Sequence, residues 1–430
     1  MTEQQPDLDL APLPRAAVAA PRERSRRLSR DASFAAIAGV YVLFMTASSA
    51  PSPLYVVYQQ EWGFSATTLT VVFAVYVVGL LGALLTFGGL SDHVGRRPVL
   101  FGAIALEAVS LVLFTAANGV PLLLAARLAQ GIATGAALTA LGATLVDLNP
   151  PRAPGRAGAV NSVAPAAGLA IGALACGALV QFAPAPTHLV WILLLAGMGL
   201  AALIVAVIPD AAEHRPGALA SLAPRLGVPA AIRPDVLALV PILLASWALG
   251  GLYLALGPSV AAGLFGLTNH LVGGLVVTML CAPGAITAFF LRARPPARLI
   301  IPGAALLAAG TAVALAGVLL THGTAPGAGA TALSAAGTLV AGVGFGMSSL
   351  ATFGTLSRLA APAQRSELFA VAFVISYVAF SVPAVAAGIA ATDVGLRPTS
   401  VVYAAAVIVL SLAAVAAQRL RAAHAAPAPS

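Results

Sequence analysis

The sequence predicts an all-α integral membrane protein whose twelve spanning helices form two six-helix bundles. Three observations predict it: a composition too apolar for a water-covered surface, twelve apolar runs of spanning length, and arginines confined almost wholly to alternate connections. Of 430 residues, 60% are hydrophobic and 8% charged, where soluble domains carry roughly 25% charged residues. No lysine occurs, so all 22 basic residues are arginine. A net charge of +8 raises the question of nucleic acid. The arginines, however, are dispersed over many short connections and build no single basic surface, so no nucleic-acid partner is expected.

A helix needs about 20 apolar residues to cross the hydrocarbon core. The runs that qualify are 33–57, 67–90, 99–117, 121–147, 158–182, 189–208, 236–260, 270–291, 299–320, 330–356, 368–390 and 399–418. Twelve crossings return the chain to its starting side. With the N-terminus inside, every arginine falls inside except Arg397, which falls outside, and Arg127, which lies within a run. That bias predicts a multi-pass protein of the cell (cytoplasmic) membrane with both termini cytoplasmic. The first 32 residues hold six arginines and five acids and show no cleavable signal pattern, so the first run is expected to be retained. Pro51 and Pro53 in SSAPSPLY either break the first helix near its outer end or mark where it stops.

The expected organisation is a cytoplasmic N-terminal tail (1–32), a first six-helix bundle (33–208), a cytoplasmic linker (209–235) rich in proline and arginine, a second bundle (236–418) and a cytoplasmic C-terminal tail (419–430). An internal echo supports two related halves: VAPAAGLAI in the fifth run resembles VPAVAAGIA in the eleventh. Parallel six-helix repeats that face one another form a transporter architecture, with the substrate near the midplane between them. Gly131/Gly135, Gly168/Gly172 and Gly342/Gly346 have the spacing that lets helix backbones approach closely in lipid.

Charge within the runs is scarce, and a charge in lipid costs at least about 2.5 kcal/mol, so such groups pair or face water. Glu107 lies in the third run, Arg127 in the fourth, and Asp147 at the cytoplasmic end of the fourth, where an interfacial role is the simple reading. At about 1.5 Å per residue, the run edges put Glu107 and Arg127 roughly 9 Å apart in depth. Arg127 either tunes a proton-binding acid or anchors the structure beside a neutral carboxyl group. The sequence has no phosphate-binding GxxxxGK[ST] loop and no histidine or cysteine cluster, so neither ATP, a metal nor another cofactor is expected. Cys176 and Cys281 sit in apolar runs and read as packing. An enzyme is not expected, because no acid–base or metal set is clustered.

The connection between the second and third runs carries Gly88-x-Leu90-Ser91-Asp92-x-x-Gly95-Arg96-Arg97. It resembles the signature loop of the major facilitator superfamily, with His93 where that family has Arg or Lys. Arg127-x-x-Gln130-Gly131 resembles the family's second motif, R-x-x-Q-G. Ala164-Pro165-x-x-Gly168 is similar to the G-P-x-x-G-G motif of its exporters, Ala164 and Leu169 replacing the outer glycines. LRARPPARL, between the eighth and ninth runs, keeps the arginines of the signature loop without its aspartate and glycine. The resemblance covers the chain from about residue 33.

The resemblance implies the major facilitator fold in its drug/proton-antiporter-like branch. It implies a gating role for Gly88, Leu90, Asp92, Gly95, Arg96 and Arg97, which latch the halves on the cytoplasmic side. Its second motif adds Gln130 and Gly131 to the two charges deepest in the runs, so that Glu107, Arg127, Gln130 and Gly131 are the coupling candidates. The cavity-lining helices by family architecture offer Tyr41, Thr46, Thr134, Trp247, Tyr253, Ser348 and Thr352, with Asn161 and Tyr377 from the fifth and eleventh. The implied activity is secondary transport of a small solute by alternating access, as proton-coupled export. A uniporter or proton symporter for a small metabolite is the alternative, and a non-transporting membrane sensor or scaffold is the alternative of another class. The expected partners are a small-molecule substrate, protons and membrane lipid, with the chain acting as a monomer.

Overall fold

The computed structural model describes residues 28–150, 152–153, 155–209, 217–224, 226–321, 327–359, 361 and 364–425. Residues 1–27 of the expected N-terminal tail, 210–216 and Arg225 of the linker, and 426–430 of the C-terminal tail lie outside the described residues.

The long elements are all α-helices: α1 (Arg30–Ser49), α2 (Pro51–Trp62), α3 (Ala66–Phe87), α5 (Arg96–Thr115), α6 (Val120–Asp147), α7 (Arg156–Phe182), α8 (Leu189–Val207), α9 (Arg233–Ala255), α10 (Gly257–Phe265), α11 (His270–Leu291), α12 (Ala297–Leu319), α13 (Ala328–Leu359), α14 (Arg365–Asp393) and α15 (Leu396–Ala425), with a single turn α4 (Ser91–Val94) between α3 and α5. Twelve candidate spans result, with α1 and α2 counted as one from Arg30 to Trp62. The protein is a multi-pass membrane protein. The described residues begin at Leu28 and end at Ala425 on one face, here called the terminal face; the other is the far face.

Side-chain caps set several starts. Ser65 Oγ accepts from the Thr68 amide at 3.2 Å at the head of α3, and Asn269 Oδ1 accepts from the Leu271 amide at 2.9 Å at the head of α11. The prolines of SSAPSPLY do not stop the first helix. Ala50 keeps right-handed helical angles (φ −53°, ψ −35°) and α2 runs on for 12 residues. Pro51 only lacks the N–H that would continue the hydrogen-bond ladder. The seventh span repeats this plan: α9 breaks at Leu256, a proline opens α10, and both α2 and α10 end at left-handed glycines, Gly63 and Gly266.

The three glycine pairs lie at helix crossings. Gly131 and Gly135 of α6 back onto the Tyr76 and Leu80 carbonyls of α3, Gly168 and Gly172 of α7 meet α1, and Gly342 and Gly346 of α13 meet α11. The first six spans pack mainly on one another and so do the last six; they meet where α7 lies on α11 and α3 on α14. Thr67 bonds Thr392 through its amide (3.1 Å) and hydroxyl (2.9 Å), Gln181 accepts from the His270 amide (3.0 Å), Thr278 donates to the Ala170 carbonyl (3.0 Å) and Ser259 to Gln59 (3.4 Å). All these residues lie in the half of their span nearer the far face. The two sets of spans are therefore stitched together on the far side.

Candidate functional site

On the terminal face, α3 ends and α4 carries Ser91, Asp92 and His93 in one turn. Gly95, with φ 95° and ψ 156°, then reverses the chain into α5, a conformation that favours glycine. The turn puts Arg96 at the first position of α5. Its Nη1 donates to Ser91 Oγ at 2.6 Å and to Asp92 Oδ1, and its Nε donates to Asp147 Oδ2 at 3.1 Å. Arg96 thus joins the signature loop to the end of α6. Asp147, read from sequence only as interfacial, is a full member of this cluster. The sequence signal for it was an acid beside an arginine-rich loop. Arg30 adds two bonds to the carbonyls of Asp147 (2.7 Å) and Leu148 (3.3 Å).

Among the described residues Arg97 pairs with no acid. It caps α8, donating to the carbonyls of Val205 (3.0 Å) and Ala206. Leu90 packs on the core, Gly88 follows α3 in helical geometry, and the His93 ring lies 3.0 Å from the Gly89 carbonyl oxygen. Arg96, Arg97, Thr144 and Asp147 line a small cleft.

The second cluster is buried. Glu107 is eight residues from the far end of α5 and Arg127 seven from the far end of α6, so both lie about 10–12 Å below the far face. This corrects the 9 Å offset expected from the run edges. Because α5 already begins at Arg96, Glu107 lies further from the terminal face and level with Arg127. The two are nevertheless bridged rather than directly bonded. Arg127 Nη1 donates to Gln130 Oε1 at 2.5 Å, and Gln130 Nε2 donates to Glu107 Oε1 at 3.1 Å. Gln130 also donates to the Ala47 carbonyl (3.0 Å) and Arg127 to that of Ser48 (3.3 Å), so α1, α5 and α6 meet at this point. The guanidinium lies 4.1 Å from the Tyr76 ring centroid, a cation–π contact with α3. Glu107 and Gln130 are fully buried and Arg127 is 1% exposed, yet Glu107 Oε2 and Arg127 Nε have no partner among the described residues.

The remaining candidates do not form one group. Trp247 and Tyr377 meet edge to face at 5.0 Å, with Phe380 and Phe353 also against Trp247; Phe369, Phe373, Tyr377 and Phe380 recur at helical spacing along α14, a signal by which Phe380 could have been found. Thr46 donates to the Gly168 carbonyl at 3.3 Å, the contact that holds the Ala164-Pro165-x-x-Gly168 segment of α7 to α1. Thr134 lies 3.5 Å from Ser48. Tyr253 bonds Thr338 at 2.8 Å, and Thr352 bonds its own helix at Ser348. Ser348 lies against Gly303 between α12 and α13, and Asn161 lies beside Gly142 of α6. Tyr41 is buried. Among the described residues no group of three or more His, Cys, Asp or Glu is placed to hold a metal.

A family model described as the Major Facilitator Superfamily matches residues 37–384. An MFS-type transporter of Penicillium rubens, PaaT, is 35% identical over 120 residues, 28% of this chain and 22% of that protein. The multidrug resistance protein MdtL of Shewanella oneidensis is 36% identical over 89 residues, 20% of this chain and 22% of that protein. The chain therefore spans about a fifth of the length of these curated relatives. Among solved structures, the nucleoside transporter NupG superposes with a TM-score of 0.66 at 12% identity, covering 90% of this chain and 100% of that one. A bacterial homologue of the human lysosomal transporter Spinster, in an inward-facing and occupied conformation, superposes with a TM-score of 0.70 at 12% identity, covering 91% and 97%. Those likenesses are of fold. With the family matched over most of its length and the twelve-span fold in place, this chain belongs to the major facilitator superfamily of membrane transporters.

Proposed function

We propose that the chain exports a small solute across the cytoplasmic membrane by alternating access, driven by proton antiport. The observation that carries the reading is the buried Glu107–Gln130–Arg127 cluster, a carboxyl group in the interior of the first six spans with one oxygen unpartnered among the described residues. Intramembrane acids of this kind are the usual carriers of coupling protons. A proton on Oε2 would cancel the charge that balances Arg127, and Arg127 in turn holds α1, α3 and α6 together. Loading Glu107 therefore alters the packing of three spans at once, which supplies the differential stability that two alternating states require. The stretch shared with the multidrug resistance protein MdtL supports export.

In this reading the segments 33–208 and 236–418 are the two moving bodies, 209–235 is the linker, and both tails face the cytoplasm in a monomer surrounded by lipid. Rocking breaks the stitches at Thr67–Thr392 and Gln181–His270 and brings the terminal ends together. The half-exposed Asp92 then meets the N-terminus of α14, while Arg96 and Asp147 keep the loop in place. Substrate sits between the bodies, near Trp247 and Tyr377. Topology reporters near Asn118 and Thr187 are expected outside the cell and those on the C-terminus inside; a C-terminal reporter found outside would overturn the orientation.

The test has two stages. Untargeted comparison of metabolites inside and outside cells with and without the protein identifies the solute. A pH jump on proteoliposomes loaded with that solute then reads the coupling. Acceleration by inward-directed protons is expected; transport indifferent to the gradient in both directions would leave a uniporter.

A further inference from the structure

We propose that Phe73 of α3 and Phe380 of α14 are positioning residues that couple solute to proton: their ring contact joins the Glu107–Gln130–Arg127 cluster of the first six spans to Trp247 in the last six. The inference rests on the proton-coupled reading above and adds the joint through which the two sites sense each other.

Each link is a direct contact or one turn of a single helix. The Arg127 guanidinium lies 4.1 Å from the Tyr76 ring centroid. Tyr76 follows Phe73 by three residues on α3, about 4.5 Å along the axis and roughly 60° around it. The Phe73 and Phe380 rings meet at 5.1 Å, tilted by 41°. Phe380 meets Trp247 edge to face at 5.8 Å, and Trp247 meets Tyr377 at 5.0 Å. These separations are those at which aromatic pairs attract beyond their burial. Phe73 is 1% and Phe380 8% exposed, so the contact is an interior one.

The links are also stiff. Gly131 backs onto the Tyr76 carbonyl and Gly135 onto that of Leu80, so α3 and α6 cross backbone to backbone on the terminal side of Phe73. In the last six spans, Gly251 of α9 backs onto the Phe380 carbonyl, and a Cβ on Gly250 would lie 3.3 Å from Phe380 Cε2. A shift of α14 at Phe380 is therefore passed to α9 one turn from Trp247.

A coupling path needs an element with two arrangements whose balance both sites bias. The seam between α3 and α14 is such an element. From the far face inward, Thr67 bonds Thr392, Gly388 backs onto Thr70, and Phe73 meets Phe380. The seam is closed in this structure and has to part when the far side opens. A proton passing from water to the Glu107 carboxylate removes the charge that balances Arg127. That alters the hold of the guanidinium on Tyr76 and tilts α3 about its crossing with α6. Solute against Trp247 displaces Phe380 and with it α14. Both events act on one seam, and linkage makes their influence reciprocal. Among the described residues, the ionisable groups around the cluster are Arg127 of α6, Tyr76 of α3, Tyr55 of α2 and, across the seam from Tyr76, Tyr377 of α14.

The test uses the full chain labelled with fluorotryptophan and followed by fluorine NMR, with the proton as the only ligand. The chain has three tryptophans, and Trp247→Phe assigns the resonance of interest. That resonance is expected to move with pH, and Glu107→Gln should abolish the movement. Phe73→Leu and Phe380→Leu should each reduce it at least about twofold, the smaller end of what a residue on a coupling path contributes. Tyr76→Phe, which keeps the ring over Arg127, should preserve it. With Cys176 and Cys281 replaced by alanine, oxidised Thr67→Cys with Thr392→Cys locks the seam after folding; the movement should vanish and return on reduction. That protein decides the matter if the leucine variants do not fold. A Trp247 resonance indifferent to pH, or one that still moves in Glu107→Gln, overturns the joint. So does full movement in both leucine variants or in the cross-linked protein. The coupling reading is judged separately, by the pH jump on solute-loaded proteoliposomes, so the two can fail independently.

Discussion

Gln130 donates its side-chain amide to Glu107 at 3.1 Å while its carbonyl accepts from Arg127 at 2.5 Å, so a neutral residue carries the link between two buried charges. Removing one charge strands the other. Arg127→Ala is expected to destabilise the protein by about 3–5 kcal/mol, the scale for a buried charge that loses its partner. Glu107→Gln in the same background should recover much of that loss. Thermal unfolding of the purified variants in one detergent measures this, and equal stability of Arg127→Ala and the double variant would show that the charges are not coupled.

Asp92 and Asp147 share Arg96 but differ in exposure, 52% against 29% of the side chain. Asp147→Asn should act within the first six spans and lower the unfolding temperature. Asp92→Asn should leave stability nearly unchanged, since exposed pairs contribute about 0–1 kcal/mol. Its expected effect is on the two-state balance, through the lost helix-terminus contact in the far-open state. A contact of about 0.3–2 kcal/mol shifts that balance roughly twofold to thirtyfold. Labelling of Thr67→Cys from the far face reads the population, and it should fall. Unaltered labelling would make the charges of this loop topology anchors only.

Thr67 and Thr392 meet through their hydroxyls at 2.9 Å, close enough for a disulfide between cysteines at these positions. In a chain with Cys176 and Cys281 replaced by alanine, Thr67→Cys with Thr392→Cys should cross-link under oxidation, stop transport, and regain it on reduction. Normal transport by the cross-linked protein would mean that the far side need not open.

Gly131 backs directly onto the Tyr76 carbonyl, so any side chain there must push α6 away from α3. Gly131→Val is expected to abolish folded yield. Gly102 of α5 faces open space, and Gly102→Ala should stabilise by about 0.5–1 kcal/mol through helix propensity. Fluorescence-detected size-exclusion profiles compare the two; a normal profile for Gly131→Val would remove the tight crossing from the account.

Much of this protein is legible along the chain. The helix ends lie within a few residues of the apolar run edges at most crossings, because each span must satisfy its own backbone in lipid and so declares itself locally. Gly95 and Arg96 were also readable, since a reversal into α5 and an arginine at its start are local requirements. The first helix was less so: Pro51 marks a real interruption, but whether the chain turns away or continues to Trp62 depends on what packs around α2.

The sequence by itself determined the twelve crossings, the near-confinement of arginine to the connections and the glycines at which helices cross, because composition in lipid is judged residue by residue against one solvent. Only the tertiary structure decided which groups meet. It brought Asp147 to Arg96, set Glu107 level with Arg127 and placed Gln130 between them. It also stitched Thr67 to Thr392 across 325 residues of chain. Each of those contacts depends on the rotation and depth of two helices packed side by side. Rotation and depth are fixed by mutual packing against neighbours, which a single span's hydrophobicity does not encode.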